Sequence, residues 1–184
     1  TEELWQSLTS ESEARVVLVH GPGGEGKSGV IFELTERLQD RGVSYLPLRL
    51  DRDRPGDTPL EFGRQLGLSG SPAACLAAAS AGERGVLILD QADAIRWTSA
   101  HSSHAWDTCE RVIAEALRYR NLSVVVVCRS FDVEDDPRIR AWKSQSKARD
   151  IKVGPLEGET VDRVVLAWGA KPSTLGLEQR RVLR

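Results

Sequence analysis

The chain is poor in the residues that build disulfide frameworks, cysteine metal sites and membrane spans. Its 184 residues include only three cysteines and no methionine. Cys75, Cys109 and Cys128 form no CxxC pair, so the sequence excludes a disulfide scaffold or zinc ribbon and is typical of reduced thiols. Its longest apolar runs suit a strand, whereas a transmembrane helix needs about 20 apolar residues. We therefore expect a cytoplasmic protein with no membrane partner.

An excess of charge of one sign is also lacking. The chain carries 25 Lys and Arg against 27 Asp and Glu, a formal net charge of −2. A nucleic-acid partner would need a local basic patch, and none is indicated. The apolar share of 40% is that of a globular core. No fourth ligand accompanies His101, His104 and Cys109, so we interpret their segment as a polar loop.

What the sequence does contain is a glycine-rich segment that follows an apolar run at residues 16–19 and precedes a helical pattern. It matches the P-loop pattern, Gly, four free positions and Gly-Lys-Ser/Thr, at every fixed position. Inward backbone N–H groups and a helix N-terminus would hold polyphosphate, with the lysine on the β- and γ-phosphates and the serine on Mg²⁺. The predicted nucleotide-binding residues are Gly21, Gly23, Gly24, Glu25, Gly26, Lys27, Ser28 and Gly29.

Strands and helices alternate along the chain, which indicates a parallel sheet covered on both faces. The five predicted strands cover residues 15–20, 43–50, 86–90, 122–128 and 151–153, and the fourth, the most apolar, is predicted to be central. We expect an α/β fold of three layers, a P-loop NTPase domain at residues 1–154 with a mainly parallel five-stranded sheet. Residues 155–184 would begin a helical lid. Because the chain starts at Thr1 and stops within a helical pattern, we expect a fragment of a larger protein.

The most informative acid outside the P-loop is Asp90, at the end of the third strand. A carboxylate there can hold Mg²⁺ together with Ser28. The next residue is Gln91, which can position water but cannot accept a proton as a Glu would. Asp93 is the nearest alternative acid. Two interpretations of Asp93 stay open, a residue that positions the attacking water and an N-cap of the following turn.

Arg129 follows the fourth strand, at the sheet edge where the P-loop and Asp90 also lie. Its guanidinium could contact the γ-phosphate and report its presence. The alternative is a surface salt bridge with one of the acids that follow it, Asp132, Asp135 or Asp136. We interpret the nearby Arg138 and Arg140 as part of a solvated basic helix.

Together these residues resemble the STAND class of signal-transducing P-loop ATPases, which includes NACHT and NB-ARC proteins and is related to AAA+ ATPases. The similarity rests on three segments. They are the P-loop Gly21–Ser28, the run Leu87-Ile88-Leu89-Asp90-Gln91-Ala92-Asp93, and the run Val127-Cys128-Arg129-Ser130-Phe131-Asp132. The residues from Asp132 to Trp142 are similar to large bacterial STAND proteins, some of them antiviral.

The resemblance implies ATP or ADP with Mg²⁺ as cofactors, slow hydrolysis, self-association in the ATP state, and effector and sensor domains outside this chain. It implies a γ-phosphate sensor at Arg129 and a second motif of the NACHT form at Asp90 and Asp93. ATP is expected because the chain has no Asn-Lys-x-Asp guanine motif. The alternative function is a mechanical AAA+ ATPase that acts on nucleic acid or protein.

Overall fold

The structure of the chain, a computed structural model, describes residues 1–9, 15–97, 103–145 and 148–154, together with residues 162, 166 and 169. The predicted lid at residues 155–184 lies outside these ranges except for three single residues, so the domain division stays a prediction. In chain order the elements are α1 (Glu2–Thr9), β1 (Val16–Gly21), α2 (Lys27–Asp40), β2 (Ser44–Arg49), α3 (Pro59–Gln65), α4 (Pro72–Ala79), β3 (Gly85–Asp90), α5 (Ala94–Trp97), α6 (Ser103–Ala116), β4 (Leu122–Arg129), α7 (Ser130–Asp135), α8 (Pro137–Gln145) and β5 (Arg149–Lys152).

The five strands form one parallel sheet in the order β2-β3-β4-β1-β5. The α/β prediction with a parallel five-stranded sheet is confirmed, and so is the central place of β4. Gly21 of β1 pairs with Arg129 of β4, and β3 ends beside β4 at Asp90. Because parallel strands end at the same edge, the P-loop, Asp90 and Arg129 meet there.

Side chains alternate between two apolar layers, one on each face of the sheet. In β1, Val16 and Leu18 pack on the side of α3, α4 and α6, whereas Val17 and Val19 pack on the side of α1 and α2. The strands β3 and β4 alternate in the same way. Burial of both faces explains why these strands are almost continuously apolar, and it gives the three predicted layers.

Two helices begin at the hydroxyl caps that the sequence indicates. Thr58 Oγ accepts the N–H of Glu61 at 3.1 Å at the start of α3, and Ser71 Oγ accepts the N–H of Ala74 at 3.2 Å at the start of α4. A proline follows each cap, where its missing N–H costs no helical hydrogen bond. The Glu61 carboxylate accepts the N–H of Asp57 at 3.1 Å, one residue before the Thr58 N–H of an ideal capping box.

The sequence gives no sign of the two short helices α5 and α7. They have four and six residues, which is too few for a 3.6-residue period to appear. The predicted basic helix is α8, which begins at Pro137. No described helix is long and apolar enough to cross a membrane.

Candidate nucleotide site

The P-loop joins the end of β1 to the start of α2 through backbone that only glycine adopts easily. Gly24 and Gly26 have φ angles of 84° and 79°, in the left-handed region, and α2 begins at Lys27 immediately afterwards. A Cβ on Gly21 would collide with the carbonyl oxygen of Val153, which follows β5. The loop is therefore shaped by its glycines, and the positive end of the α2 dipole faces the same sheet edge.

Lys27 bends back over the loop that precedes it. Its Nζ donates hydrogen bonds to the carbonyl oxygens of Gly21, at 2.8 Å, and Pro22, at 2.6 Å. The ammonium group thus lies at the mouth of the loop, where phosphate oxygens could replace the two carbonyls as acceptors. A lysine held this way fits a polyphosphate ligand in charge and position.

The acidic side of the site consists of two buried carboxylates, one at the last residue of β3 and one in the turn that follows. Asp90 is 7% exposed and Asp93 is 5% exposed. Burial raises the pKa of both carboxyl groups above the ordinary value, because it penalises the charged form. The Gln91 N–H, which donates to Asp90 Oδ1 at 2.9 Å, opposes that shift at Asp90. At Asp93 the shift is opposed first by a hydrogen bond from its own backbone N–H and then by the positive charge of Arg129.

Gln91, between the two acids, has a φ of 58°, which is uncommon for a residue with a side chain. Hydrogen bonds hold the backbone around it. The Ala92 N–H donates to the carbonyl of Val127 in β4 at 2.9 Å, and the Ala94 N–H donates to Gln91 O at 2.9 Å. The turn after β3 is thus fixed against β4, and strained backbone of this kind is concentrated at functional sites.

Arg129 forms an ion pair across the site. Its Nε lies 3.0 Å from Asp93 Oδ2, and the guanidinium side chain is 53% exposed. Asp93 was not among the partners that the sequence suggested for Arg129, which were Asp132, Asp135 and Asp136. The reason is tertiary, because the turn after β3 and the end of β4 are adjacent in the sheet although 36 residues separate Asp93 from Arg129 in the chain.

A cleft of about 200 Å³ opens between these groups. Its lining contains eight of the predicted site residues and one more, namely Gly23, Gly24, Lys27, Ser28, Asp90, Gln91, Asp93, Val127 and Arg129. The remaining predicted residues, Gly21, Glu25, Gly26 and Gly29, belong to the loop and the first turn of α2 without lining the cleft. The structure brings the sequence-predicted groups to one place, and their individual roles stay predictions.

The lining suits Mg²⁺ only together with a nucleotide. Ser28 and Asp90 offer a hydroxyl and a carboxylate, and Mg²⁺ is often bound by one or two protein oxygens plus phosphates and water. Among the described residues no group of three His, Cys, Asp or Glu side chains could hold a metal by itself. Cys109 is 1% exposed in the core while His104 is exposed, and His101 lies outside the described residues.

Sequence reasoning missed a polar cluster beside the site. His20, the residue before Gly21, is 7% exposed, and its ring contacts Ser130 and Asp150. A histidine at the end of an otherwise apolar strand was the only signal available. Its partners are 110 and 130 residues away in sequence, so no local pattern could have identified them.

Comparison with known proteins places the fold. No family model matches the chain, and no curated protein matches it. Among solved structures, AMPPCP-bound DnaA from Aquifex aeolicus aligns with a TM-score of 0.65 and 12% identity over 99% of this chain and 54% of that one. The Aeropyrum pernix ORC1 protein in complex with DNA gives 0.55 and 18% over 91% and 46%. A Walker-type ATPase of Pyrococcus abyssi gives 0.58 and 14% over 99% and 59%.

The chain therefore spans about half the length of the solved structures that it matches. At these identities the likeness shows the fold alone. It supports the predicted P-loop fold. The similarity to STAND proteins remains a resemblance in sequence motifs. The chain has the α/β P-loop fold that is also found in DnaA, ORC1 and the Walker-type ATPase.

Proposed function

We propose that this chain is the nucleotide-binding module of a regulatory ATPase of STAND type. It would bind ATP or ADP with Mg²⁺, hydrolyse ATP slowly, and control the conformation and self-association of a larger signalling or defence protein. The observation that carries the proposal is the single cleft in which the P-loop, two buried carboxylates and one arginine meet.

The chemistry of the cleft supports binding of a nucleoside triphosphate together with a metal ion. Lys27 supplies the cation for the β- and γ-phosphates, and Ser28 and Asp90 supply oxygens to Mg²⁺. The raised pKa of Asp90 reflects the cost of keeping a carboxylate charged in a buried place. A bound divalent cation would offset that cost, since it interacts favourably only with the ionised form.

Slow turnover is supported by the residues that follow Asp90. Gln91 takes the place where an efficient hydrolase carries a glutamate, and an amide cannot accept a proton from water. Asp93 is close enough to line the same cleft, but its carboxylate is engaged by Arg129. Asp93, the proposed base, therefore stays in its ion pair until Arg129 moves away.

A nucleotide-dependent switch is supported by the placement of Arg129. Its half-exposed guanidinium lines the cleft and forms an ion pair with Asp93, so a γ-phosphate could compete with Asp93 for the same donors. The diphosphate lacks that group and would leave the pair intact. This difference would let the site distinguish ATP from ADP.

The test is calorimetric titration of purified protein with ATP, AMPPCP and ADP in the presence of Mg²⁺. Lys27→Ala should abolish binding of all three nucleotides, because it removes the phosphate-binding ammonium. Lys152→Ala, which removes the same charge from an exposed position at the end of β5, is the control. Micromolar binding retained by Lys27→Ala would refute the assignment of the site.

A second candidate is an AAA+ ATPase that acts on nucleic acid. The observation that favours it is the fold shared with DnaA, which has been solved with AMPPCP and single-stranded DNA at a TM-score of 0.61 and 11% identity. That candidate predicts brisk multiple-turnover hydrolysis and DNA binding that weakens steeply with salt. Tightly held ADP with turnover below about one per minute, far under typical enzyme rates, favours the switch instead.

A further inference from the structure

A series of polar contacts links His20, the residue before the P-loop, to the helix α8. His20 Nδ1 lies 2.9 Å from Ser130 Oγ, and His20 Nε2 lies 3.2 Å from Asp150 Oδ1. Lys143 Nζ in turn donates to Asp150 Oδ2 at 2.6 Å. These contacts connect the strands β1 and β5 with the helices α7 and α8.

When the His20 ring is neutral, the two contacts together determine which groups donate and which accept. A carboxylate only accepts, so Nε2 carries the proton that bonds Asp150. In the neutral ring Nδ1 is then an acceptor, and the Ser130 hydroxyl donates to it. Asp150 thus sets the tautomer in which His20 can hold Ser130.

The hydrogen bond between His20 and Ser130 joins two residues that lie next to the P-loop and to Arg129, respectively. His20 is bonded to Gly21, the first P-loop residue, and Ser130 is bonded to Arg129. The strand pairing of Gly21 with Arg129 ends at this level, because Arg129 is the last residue of β4. Beyond the ladder, the turn into α7 is therefore held against β1 by the His20 ring.

We propose that His20 is a positioning residue that fixes Arg129 relative to the P-loop through its hydrogen bond with Ser130. The inference rests on the proposed function, because it concerns the readout of the γ-phosphate by Arg129. His20 is not among the residues that line the cleft. It determines where the β4–α7 turn presents the guanidinium.

The first experiment compares Ser130→Ala with Ser123→Ala, the same change at the opposite end of β4. Affinities for AMPPCP and ADP are measured by calorimetry in Mg²⁺, and the melting temperature of each variant is recorded. Ser130→Ala should weaken AMPPCP binding about fivefold, the equivalent of one ordinary hydrogen bond. ADP affinity should not change, because ADP has no γ-phosphate for Arg129 to contact.

The second experiment uses two amides that differ in length. In His20→Asn the amide stands near the position of Nδ1 and can still bond Ser130, whereas in His20→Gln it stands near that of Nε2 and reaches toward Asp150. His20→Asn should keep the wild-type preference between AMPPCP and ADP, and His20→Gln should lose it as Ser130→Ala does. A role limited to stability would lower both melting temperatures without separating the two nucleotides.

The outcomes distinguish this inference from the proposed function. If the wild type and Ser123→Ala bind nucleotide and Ser130→Ala gives the same AMPPCP-to-ADP ratio, the positioning role is refuted and the nucleotide site stands. If Asn and Gln at position 20 behave alike, the role is also refuted. If the wild type binds no nucleotide, the proposed function fails and the inference fails with it.

Discussion

Arg129 and Asp93, which both line the cleft, form an ion pair across the ends of β3 and β4, with Arg129 Nε 3.0 Å from Asp93 Oδ2. The side chain of Arg129 is half exposed whereas that of Asp93 is buried, so losing the ion pair costs the two partners different amounts. The guanidinium, together with a backbone N–H, compensates the Asp93 charge that burial disfavours, while Arg129 can find other partners in water. A phosphate that attracts Arg129 would leave Asp93 free to act on water.

Replacing Arg129 with Ala should weaken AMPPCP binding about tenfold, as expected for a lost hydrogen bond between charged groups, and leave ADP binding unchanged. It should also lower the melting temperature of the nucleotide-free protein by a few degrees, because Asp93 remains buried and unpaired. Calorimetry and thermal denaturation measure the two effects.

The control is Arg111→Ala, which removes an exposed arginine from α6. The double variant Arg129→Ala/Asp93→Asn should recover the melting temperature but not AMPPCP affinity, since it removes the unpaired charge and not the need for a sensor. Equal losses of ADP and AMPPCP affinity in the single variant would contradict the sensor role.

Gln91→Glu should raise the rate of ATP hydrolysis by about tenfold or more, because it supplies a proton acceptor where the sequence has an amide. Glutamate and glutamine share shape and backbone preference, so the strained φ of 58° is no obstacle specific to the variant. Release of phosphate under multiple turnover is the measurement, with Gln39→Glu on the exposed face of α2 as the control.

If Gln91→Glu leaves the rate unchanged and Asp93→Asn abolishes it, Asp93 is the residue that positions water. If neither change affects the rate, both assignments are wrong. Asp93→Asn should retain nucleotide binding in either case, because the phosphates are held by the P-loop.

Asp90→Asn should stabilise the nucleotide-free protein at neutral pH. Burial raises the folded-state pKa of Asp90 above 3.8, so ionisation of the wild type costs stability once the pH rises above the unfolded-state value. Well below pH 3.8 the carboxyl is protonated in both states and the cost disappears. The melting temperature of the variant should exceed that of the wild type at pH 7, and the difference should shrink as the pH falls toward 3.8.

The same variant should lose the Mg²⁺ dependence of ATP binding, since the amide is a poor ligand for that cation. A variant that is less stable than the wild type at pH 7 would show that Asp90 makes a favourable interaction in the free protein. Retained Mg²⁺ dependence would remove Asp90 from the metal site.

Two glycines near the P-loop should respond to alanine in opposite directions. Gly21→Ala places a methyl group against the carbonyl of Val153 and should destabilise the protein by about 1–3 kcal/mol. Gly29 in α2 has no heavy atom within 4 Å of an added Cβ, so Gly29→Ala should stabilise by about 0.5–1 kcal/mol. Urea denaturation compares the two, and a stable Gly21→Ala variant would contradict the close approach of β5.

The sequence by itself determined the features that depend on residues close together in the chain. The glycine spacing before Lys27, the apolar strands and the caps at Thr58 and Ser71 are local signals, so the P-loop, the parallel sheet and most helices were predictable. The convergence of Lys27, Asp90 and Arg129 also followed, because the ends of parallel strands share one edge.

The tertiary structure decided which side chains pair across that edge. Arg129 forms an ion pair with Asp93, and His20 contacts Ser130 and Asp150, which are more than a hundred residues away in the chain. Strand order and register determine these contacts, and no local sequence pattern encodes either of them. The P-loop and the position of Arg129 therefore followed from the sequence, whereas the contacts of Arg129 with Asp93 and of His20 with Ser130 could be identified only in the assembled sheet.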